Sequence, residues 1–154
     1  MRTTYSLLTS ALLAFSLAFS GCNKKAIDPT PAVTETAKPV APVELRRGAM
    51  QPQGGVPSTG TVTLVRDAAN VEYVRFEADF RTDFHTGSLG VYLAKSDGLV
   101  RVQRAADATN VVRVGTITKD GAQTLAITGS AAGFSHVIIH CDPAMYNFGA
   151  ALVK

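Results

Sequence analysis

Apolar residues alternate with polar or small residues through most of the chain after Thr59. Successive side chains of a β-strand point to opposite faces, so a period of two predicts strands with one buried face. No segment has the spacing of three to four residues that predicts an amphipathic helix. The alternation falls in short runs: Val62 and Leu64; Val74, Phe76, Ala78 and Phe80; Leu89, Val91 and Leu93; Val112, Val114 and Thr116; Leu125 and Ile127; Ser135–Cys141; and Tyr146–Val153.

Turn signals separate these runs. Asp120-Gly121 stands between two of them, and this dipeptide predicts a tight β-hairpin. Asp142-Pro143 separates the last two runs, because proline cannot donate to a strand ladder. Short strands at near-regular spacing are typical of all-β domains, and we therefore predict an antiparallel β-sandwich of about seven to eight strands.

The first residues have the three parts of a secretory signal peptide. Arg2 supplies a positive charge, residues 7–19 form an uncharged and mostly apolar run, and Ser20 and Gly21 are small. The apolar run is shorter than the roughly 20 residues that a membrane-spanning helix needs. We predict cleavage before Cys22, so that residues 1–21 are a lipoprotein signal peptide. The alternative is an ordinary secreted protein that is cut nearby.

Phe19-Ser20-Gly21-Cys22 resembles the lipobox of bacterial lipoproteins, with Phe19 where that motif usually has an aliphatic residue. The resemblance implies that Cys22 is acylated and holds an exported protein to the lipid bilayer of the cell envelope. A single acyl chain binds a membrane only marginally, whereas the two or three chains of a lipoprotein anchor hold it permanently. Asn23 follows the cysteine in place of aspartate, which favours the outer membrane.

Six of the seven prolines lie between Pro29 and Pro57. A segment of this composition buries too little apolar area to fold, so we interpret residues 22–47 as the lipidated cysteine and a flexible linker. Residues 48–154 remain, which is enough for one ordinary core.

The net charge of the whole chain is only +3, and Lys24-Lys25 and Arg46-Arg47 are its only basic pairs. No nucleic-acid partner is expected, because such a partner requires a clustered basic face.

The C-terminal half is similar to the DM13 domain family, which is sometimes described as an electron-transfer domain. Two stretches carry the resemblance: Gly115-Thr116-Ile117 with Gly121-Ala122-Gln123-Thr124-Leu125-Ala126-Ile127, and Val137-Ile138-Ile139-His140-Cys141 with Phe148-Gly149 and Ala151. They resemble the family's middle hairpin and its closing motif, and residues 80–93 fit more loosely. His140 and Ala144 stand where the family has aromatic residues. The resemblance covers most of residues 48–154 and implies a redox role for the lone cysteine.

Cys141 is the only thiol that remains once Cys22 is acylated, so it has no disulfide partner within the domain. On one hypothesis it is a structural thiol, because it shares the inward face of its strand with Val137 and Ile139 and free cysteines are usually buried. On the other hypothesis it is a reactive redox thiol. Reactivity requires exposure and a positive neighbour, and alternation places His140 on the opposite face of the strand.

The three histidines raise the question of a metal site. His136 and His140 lie on one face of a strand, but four residues at about 3.3 Å each place them about 13 Å apart. Two imidazoles that bind one zinc ion at about 2.0–2.1 Å cannot span that distance. His85 lies in a loop near Asp83 and could approach either of the other two. We predict solvated or core-edge histidines and no bound metal.

No enzyme motif is present in the sequence: there is no G-x-S-x-G, H-E-x-x-H, P-loop, G-x-G-x-x-G or C-x-x-C. We therefore predict no catalytic residue and no cofactor, and we favour a non-enzymatic binding or assembly module whose partner is an envelope protein or another ligand. The main alternative is a redox module that uses Cys141, with an unidentified redox cofactor. A third hypothesis is a purely structural envelope protein.

Overall fold

A computed structural model of the chain describes residues 40–154. The predicted signal peptide, the lipidation site Cys22 and most of the predicted linker lie outside the described residues. Within them, no helix is long and apolar enough to cross a membrane. The elements are β1 (Val43–Pro52), β2 (Thr61–Arg66), β3 (Glu72–Phe76), β4 (Leu89–Ala94), helix α1 (Val100–Ala106), a 3-10 turn (Ala108–Asn110), β5 (Val111–Ile117), β6 (Gln123–Ala126), β7 (His136–Cys141) and β8 (Tyr146–Leu152).

All eight strands belong to one antiparallel sheet with the order β5-β4-β7-β8-β1-β2-β3-β6. Strand β1 bends the sheet, because its first part pairs with β2 and Met50–Pro52 pair with β8. The two edge strands, β5 and β6, contact each other, so the sheet is nearly closed around its core. The predicted all-β, antiparallel fold of seven to eight strands is confirmed, with both halves of the sandwich formed by one continuous sheet.

The main core fills the space between the two halves of the sheet. Its residues are the inward members of the predicted alternation, such as Val74 and Phe76 of β3 and Val137 and Ile139 of β7. Phe80 lies after the end of β3 but packs on Phe76 with 4.5 Å between ring centroids. Burial of such a side chain contributes about 2–3 kcal/mol, so the alternating residues supply most of the apolar stabilisation.

A second, smaller core lies on the outer side of the sheet, beneath α1. All six residues of β4 are buried. On the outer face, Val100 of α1 packs against Tyr92 and Ala94 of β4 and against Ile138 of β7. Helix α1 was not expected, because its seven residues are too few to show a helical period. Residues 95–110 cover the outer face of these strands. Polar side chains on that face are therefore buried, although they would otherwise be exposed to water.

Two further features differ from the sequence predictions. The fold begins earlier than Gly48, because Val43 and Glu44 of the predicted linker pair with β2 and thereby satisfy their backbone polar groups. Strands β5 and β6 do not form the predicted hairpin, since β5 pairs with β4 and β6 pairs with β3. The turn between them instead crosses from one half of the sheet to the other. Gly121 has a φ of 81° and donates its N–H to the Phe80 carbonyl at 2.9 Å.

Candidate functional site

Asn147 occupies the centre of a buried polar network on the outer face of the sheet. It stands opposite His140 in the β7–β8 ladder, and its side chain is covered by the segment that leads into α1, so that Asn147 is only 2% exposed. Its Nδ2 donates to the Gln53 Oε1 at 2.9 Å and to the carbonyls of Gly98 at 3.1 Å and Asp97 at 3.3 Å. These three contacts fix the orientation of the amide.

The other atom of the Asn147 amide, Oδ1, therefore faces His140 and acts as an acceptor. His140 donates its Nδ1–H to this oxygen at 2.9 Å, and the Val100 N–H donates to it at 3.4 Å. One buried amide thus joins strand β7, the start of α1 and the end of β1. Within the described residues every buried side-chain polar atom has a hydrogen-bond partner, which makes this a fully satisfied network.

A second group of side chains continues the network beyond His140. The Tyr92 ring meets the His140 imidazole edge-on at 5.7 Å between centroids, and the Tyr92 hydroxyl donates to Asp142 Oδ1 at 2.6 Å. The same carboxylate lies 4.0 Å from His140 Nε2 and 3.4 Å from Arg113. Burial, and then the bond to Asp142, raise the pKa of Tyr92. Tyr92 therefore remains a neutral phenol that donates a hydrogen bond.

Two clefts open at the surface beside Asn147. One has a volume of about 360 Å³ and is lined by Gln53, Gly54, Asp97, Gly98, Leu99, Tyr146 and Asn147. The other has a volume of about 310 Å³ and is lined by Gln51, Pro52, Gln53, Asp97, His136, Ala150 and Leu152. Gln53 and Asp97 line both clefts, and we call the two together the Gln53 groove. Gln53 donates from Nε2 to the Asp97 carbonyl at 2.9 Å, so the shared wall is itself held by a hydrogen bond.

The structure places Cys141 on the other side of the strand from this groove. Cys141 ends β7, is 1% exposed and belongs to the main core. His140 precedes it on the outward face, so the two neighbouring side chains lie in different environments. Reagents do not reach a thiol that is buried in an apolar core, and a cysteine of this kind is unreactive.

The remaining predicted histidines are separate from one another. His136 lines the groove, and its Nδ1 lies 2.8 Å from Ser135 Oγ. His85 is exposed in the loop before β4 and contacts the Asp83 carboxylate at 2.6 Å. Among residues 40–154, no group of three histidine, cysteine, aspartate or glutamate side chains is arranged to hold a metal ion.

No motif in the sequence marks Gln53, Asp97 or Asn147 as site residues, and they come together only through the fold. Asn147 gives the one local signal, because it is a polar residue within the otherwise apolar start of β8. Comparison with protein-family models, with curated proteins and with solved structures finds no match to this chain.

We predict that Cys141 of the native protein reacts with a maleimide only after denaturant is added. The reason is its position in the main core, where neither the reagent nor a base reaches the sulfur. The measurement is the mass of the Cys22→Ser chain after labelling with and without denaturant, with this variant chosen so that Cys141 is the only thiol. Rapid labelling of the native chain would contradict the structural assignment of this thiol and support a redox role.

Proposed function

We propose that the protein is a lipoprotein of the cell envelope, anchored through acylated Cys22, whose DM13-like domain is a non-enzymatic binding or assembly module. The binding site in this proposal is the Gln53 groove. One observation carries it: the buried Asn147 amide donates from Nδ2 to three groups in the walls of this groove, the Gln53 side chain and the carbonyls of Asp97 and Gly98. Its oxygen is held in turn by His140 and Val100.

A preorganised site supports binding because the ligand does not have to order it. The Asn147 contacts hold Gln53 and the backbone of Asp97 and Gly98 in place before a ligand arrives. Ordering of side chains and loops otherwise costs about 0.5–1.5 kcal/mol for each immobilised group. The volumes of the two clefts reach the lower end of the range typical of ligand pockets, about 300–1,000 Å³.

The lining of the groove favours binding over catalysis. It contains no serine, threonine, cysteine or lysine side chain that could act as a nucleophile beside a base. Tyr92 and His140 lie together but are buried behind the groove, where the Tyr92 hydroxyl bonds to Asp142 and His140 Nδ1 bonds to Asn147. A redox function of Cys141 receives less support, because the thiol lies in the core.

The anchor is tested by cell fractionation. We predict that Cys22→Ser moves the protein from the membrane fraction to the soluble fraction, because the acyl chains are lost. Cys141→Ser is the matched control and is expected to remain with the membrane. Retention of Cys22→Ser in the membrane after a salt wash would contradict the proposal.

The binding role is tested by cross-linking from inside the groove. A photo-reactive residue at Gln51, which lines the groove and is exposed, is expected to capture an envelope component in intact cells. The same residue at Lys119, in an exposed turn outside the groove, serves as the control. Capture from Gln51 should fall when Asp97→Lys introduces a long side chain and a reversed charge into the shared wall. Equal capture from both positions, unaffected by Asp97→Lys, contradicts the proposal.

A further inference from the structure

The charge of the Gln53 groove restricts the chemistry of its ligand. Asp97 is the one residue in its lining with a carboxylate side chain, and the lining contains no arginine or lysine. A phosphate, a nucleic acid or an acidic polymer would meet a negative group with no compensating cation, at a cost in Coulomb energy. The lining therefore disfavours an anionic ligand.

The hydrogen-bonding groups of the groove include both donors and acceptors. Gln51 is exposed and presents an amide, and the Asp97 carboxylate makes no side-chain hydrogen bond with any other residue of the described part of the chain. His136 has one ring nitrogen beside Ser135, so its Nε2 remains for a ligand. Tyr146 adds a phenol that can donate or accept. A hydroxyl group also donates and accepts at once, and a hydroxyl-rich ligand satisfies such a mixed set.

Apolar surface lies between these polar groups. Pro52, Ala150 and Leu152 form part of one cleft, and Leu99 with the Tyr146 ring forms part of the other. The Tyr146 ring is held on Phe148 at 5.2 Å between centroids. Rigid rings and small aliphatic groups offer contact area at low entropic cost to the C–H faces of a pyranose ring.

The shape of the groove indicates a chain of linked units. Two clefts of similar volume meet at the wall that Gln53 and Asp97 form, so a ligand with repeating units can occupy both across that wall. Strand addition by an extended peptide is disfavoured, because that mode of recognition requires a free sheet edge. The groove lies instead beside Met50–Pro52 of β1, which pair with β8, and beside β8, which has β7 on its other side.

From these observations we infer that the Gln53 groove binds a neutral oligosaccharide chain. The inference rests on the proposed binding function and names the ligand class of that same site. Asp97 accepts hydrogen bonds from sugar hydroxyls at the junction of the two clefts, and Gln51, His136 and Tyr146 contact hydroxyls on either side.

The probe is an array of linear neutral oligosaccharides of glucose, galactose, mannose and N-acetylglucosamine, with oligogalacturonate as the anionic counterpart. The purified full chain, kept in a detergent without a sugar headgroup, is expected to bind at least one neutral member and not oligogalacturonate. Asp97→Asn should weaken this binding about tenfold or more, because hydrogen bonds to charged groups are the stronger ones. The substitution retains the backbone carbonyl that Asn147 and Gln53 use, so the thermal midpoint should not move.

Asp83→Asn is the matched control, since it makes the same change in an exposed loop outside the groove and leaves an oxygen for the His85 N–H. Binding of no neutral member, or equal binding by wild type and Asp97→Asn, overturns the assignment of the ligand class. If cross-linking from Gln51 remains dependent on Asp97 in that case, the groove binds a ligand of another class, such as a protein, and the proposed function stands. If both assays fail, the proposed function fails as well.

Discussion

Asn147→Ala is expected to lower the free energy of unfolding by about 3 kcal/mol, because several polar groups lose their hydrogen-bond partner at once and the most deeply buried of them are cut off from solvent. The His140 Nδ1–H and the Val100 N–H lose their acceptor, and the carbonyls of Asp97 and Gly98 lose a donor. The separate losses are each about 1–3 kcal/mol and are not additive, since the segment that carries Val100 can move.

The same substitution is expected to release residues 95–110 from the sheet. Hydrogen exchange should become faster in α1 and at Asp97 and Gly98, while the amides of β2 and β3 lose protection only through the lower global stability. Denaturant unfolding followed by circular dichroism gives the free energy. Asn110→Ala is the control, because its amide makes one bond, from Nδ2 to the Gln103 carbonyl at 3.2 Å. A loss in Asn147→Ala no larger than in this control would show that the network does not hold the segment.

The predictable part of the fold is the part that alternation encodes. Strand β3 shows period two clearly, with alternate residues buried. Strand β7 is buried on both faces, but its inward residues Val137, Ile139 and Cys141 still follow the same alternation. The same alternation separates Cys141 from His140. Neither deduction required knowledge of which strands are neighbours, because the inward or outward direction of a side chain is local to its own strand.

The unpredictable part depends on contacts between distant segments. Strand β1 begins in a proline-rich segment, and only its pairing with β2 and β8 makes it a strand. The turn at Asp120-Gly121 has the composition of a hairpin, yet Asp120 accepts a hydrogen bond from the Thr82 N–H at 3.0 Å, and the strands on either side pair with different neighbours. Tertiary bonds of this kind override local turn propensity.

The candidate site was invisible in the sequence for the same reason. Gln53 and Asn147 are far apart in the chain, and their contact exists because β1 pairs with β8 and the 95–110 segment folds over both. Common polar residues without a motif carry no signal of their own. Histidine and cysteine are residue types that can indicate a metal or redox site. The geometry of the groove is instead determined by the amide at the centre of the network.

Glu72 is the second residue whose replacement is expected to have a large effect. It starts β3, is 6% exposed, and accepts hydrogen bonds from Arg66 at 2.6 Å and from the buried Ala131 N–H at 2.6 Å. Arg46 donates to the Ala131 carbonyl at 2.8 Å and so holds the other side of the same loop. We expect Glu72→Gln to cost about 2–3 kcal/mol, because a neutral amide is a weaker acceptor and brings an N–H group into a site built for two oxygens.

This cost should depend on pH with a defined sign. The Arg66 guanidinium, followed by the Ala131 N–H, holds the pKa of Glu72 below the ordinary glutamate value of 4.5. A carboxyl whose pKa is lowered on folding stabilises the folded state above its unfolded pKa, and this contribution is lost as the pH falls through the folded value. The difference in unfolding free energy between wild type and Glu72→Gln is therefore largest near neutral pH and shrinks below pH 4.5.

Denaturant unfolding of both chains between pH 7 and pH 3 measures this difference directly. Other acids whose pKa is lowered, such as Asp67 and Asp79, are present in both chains and cancel in the comparison. Glu44→Gln is the matched control, because Glu44 pairs with Arg47 at the surface and both side chains are about half exposed, where ion pairs contribute little. A difference between wild type and Glu72→Gln that stays constant across this range would mean that the charge of Glu72 does not stabilise the loop that follows β6.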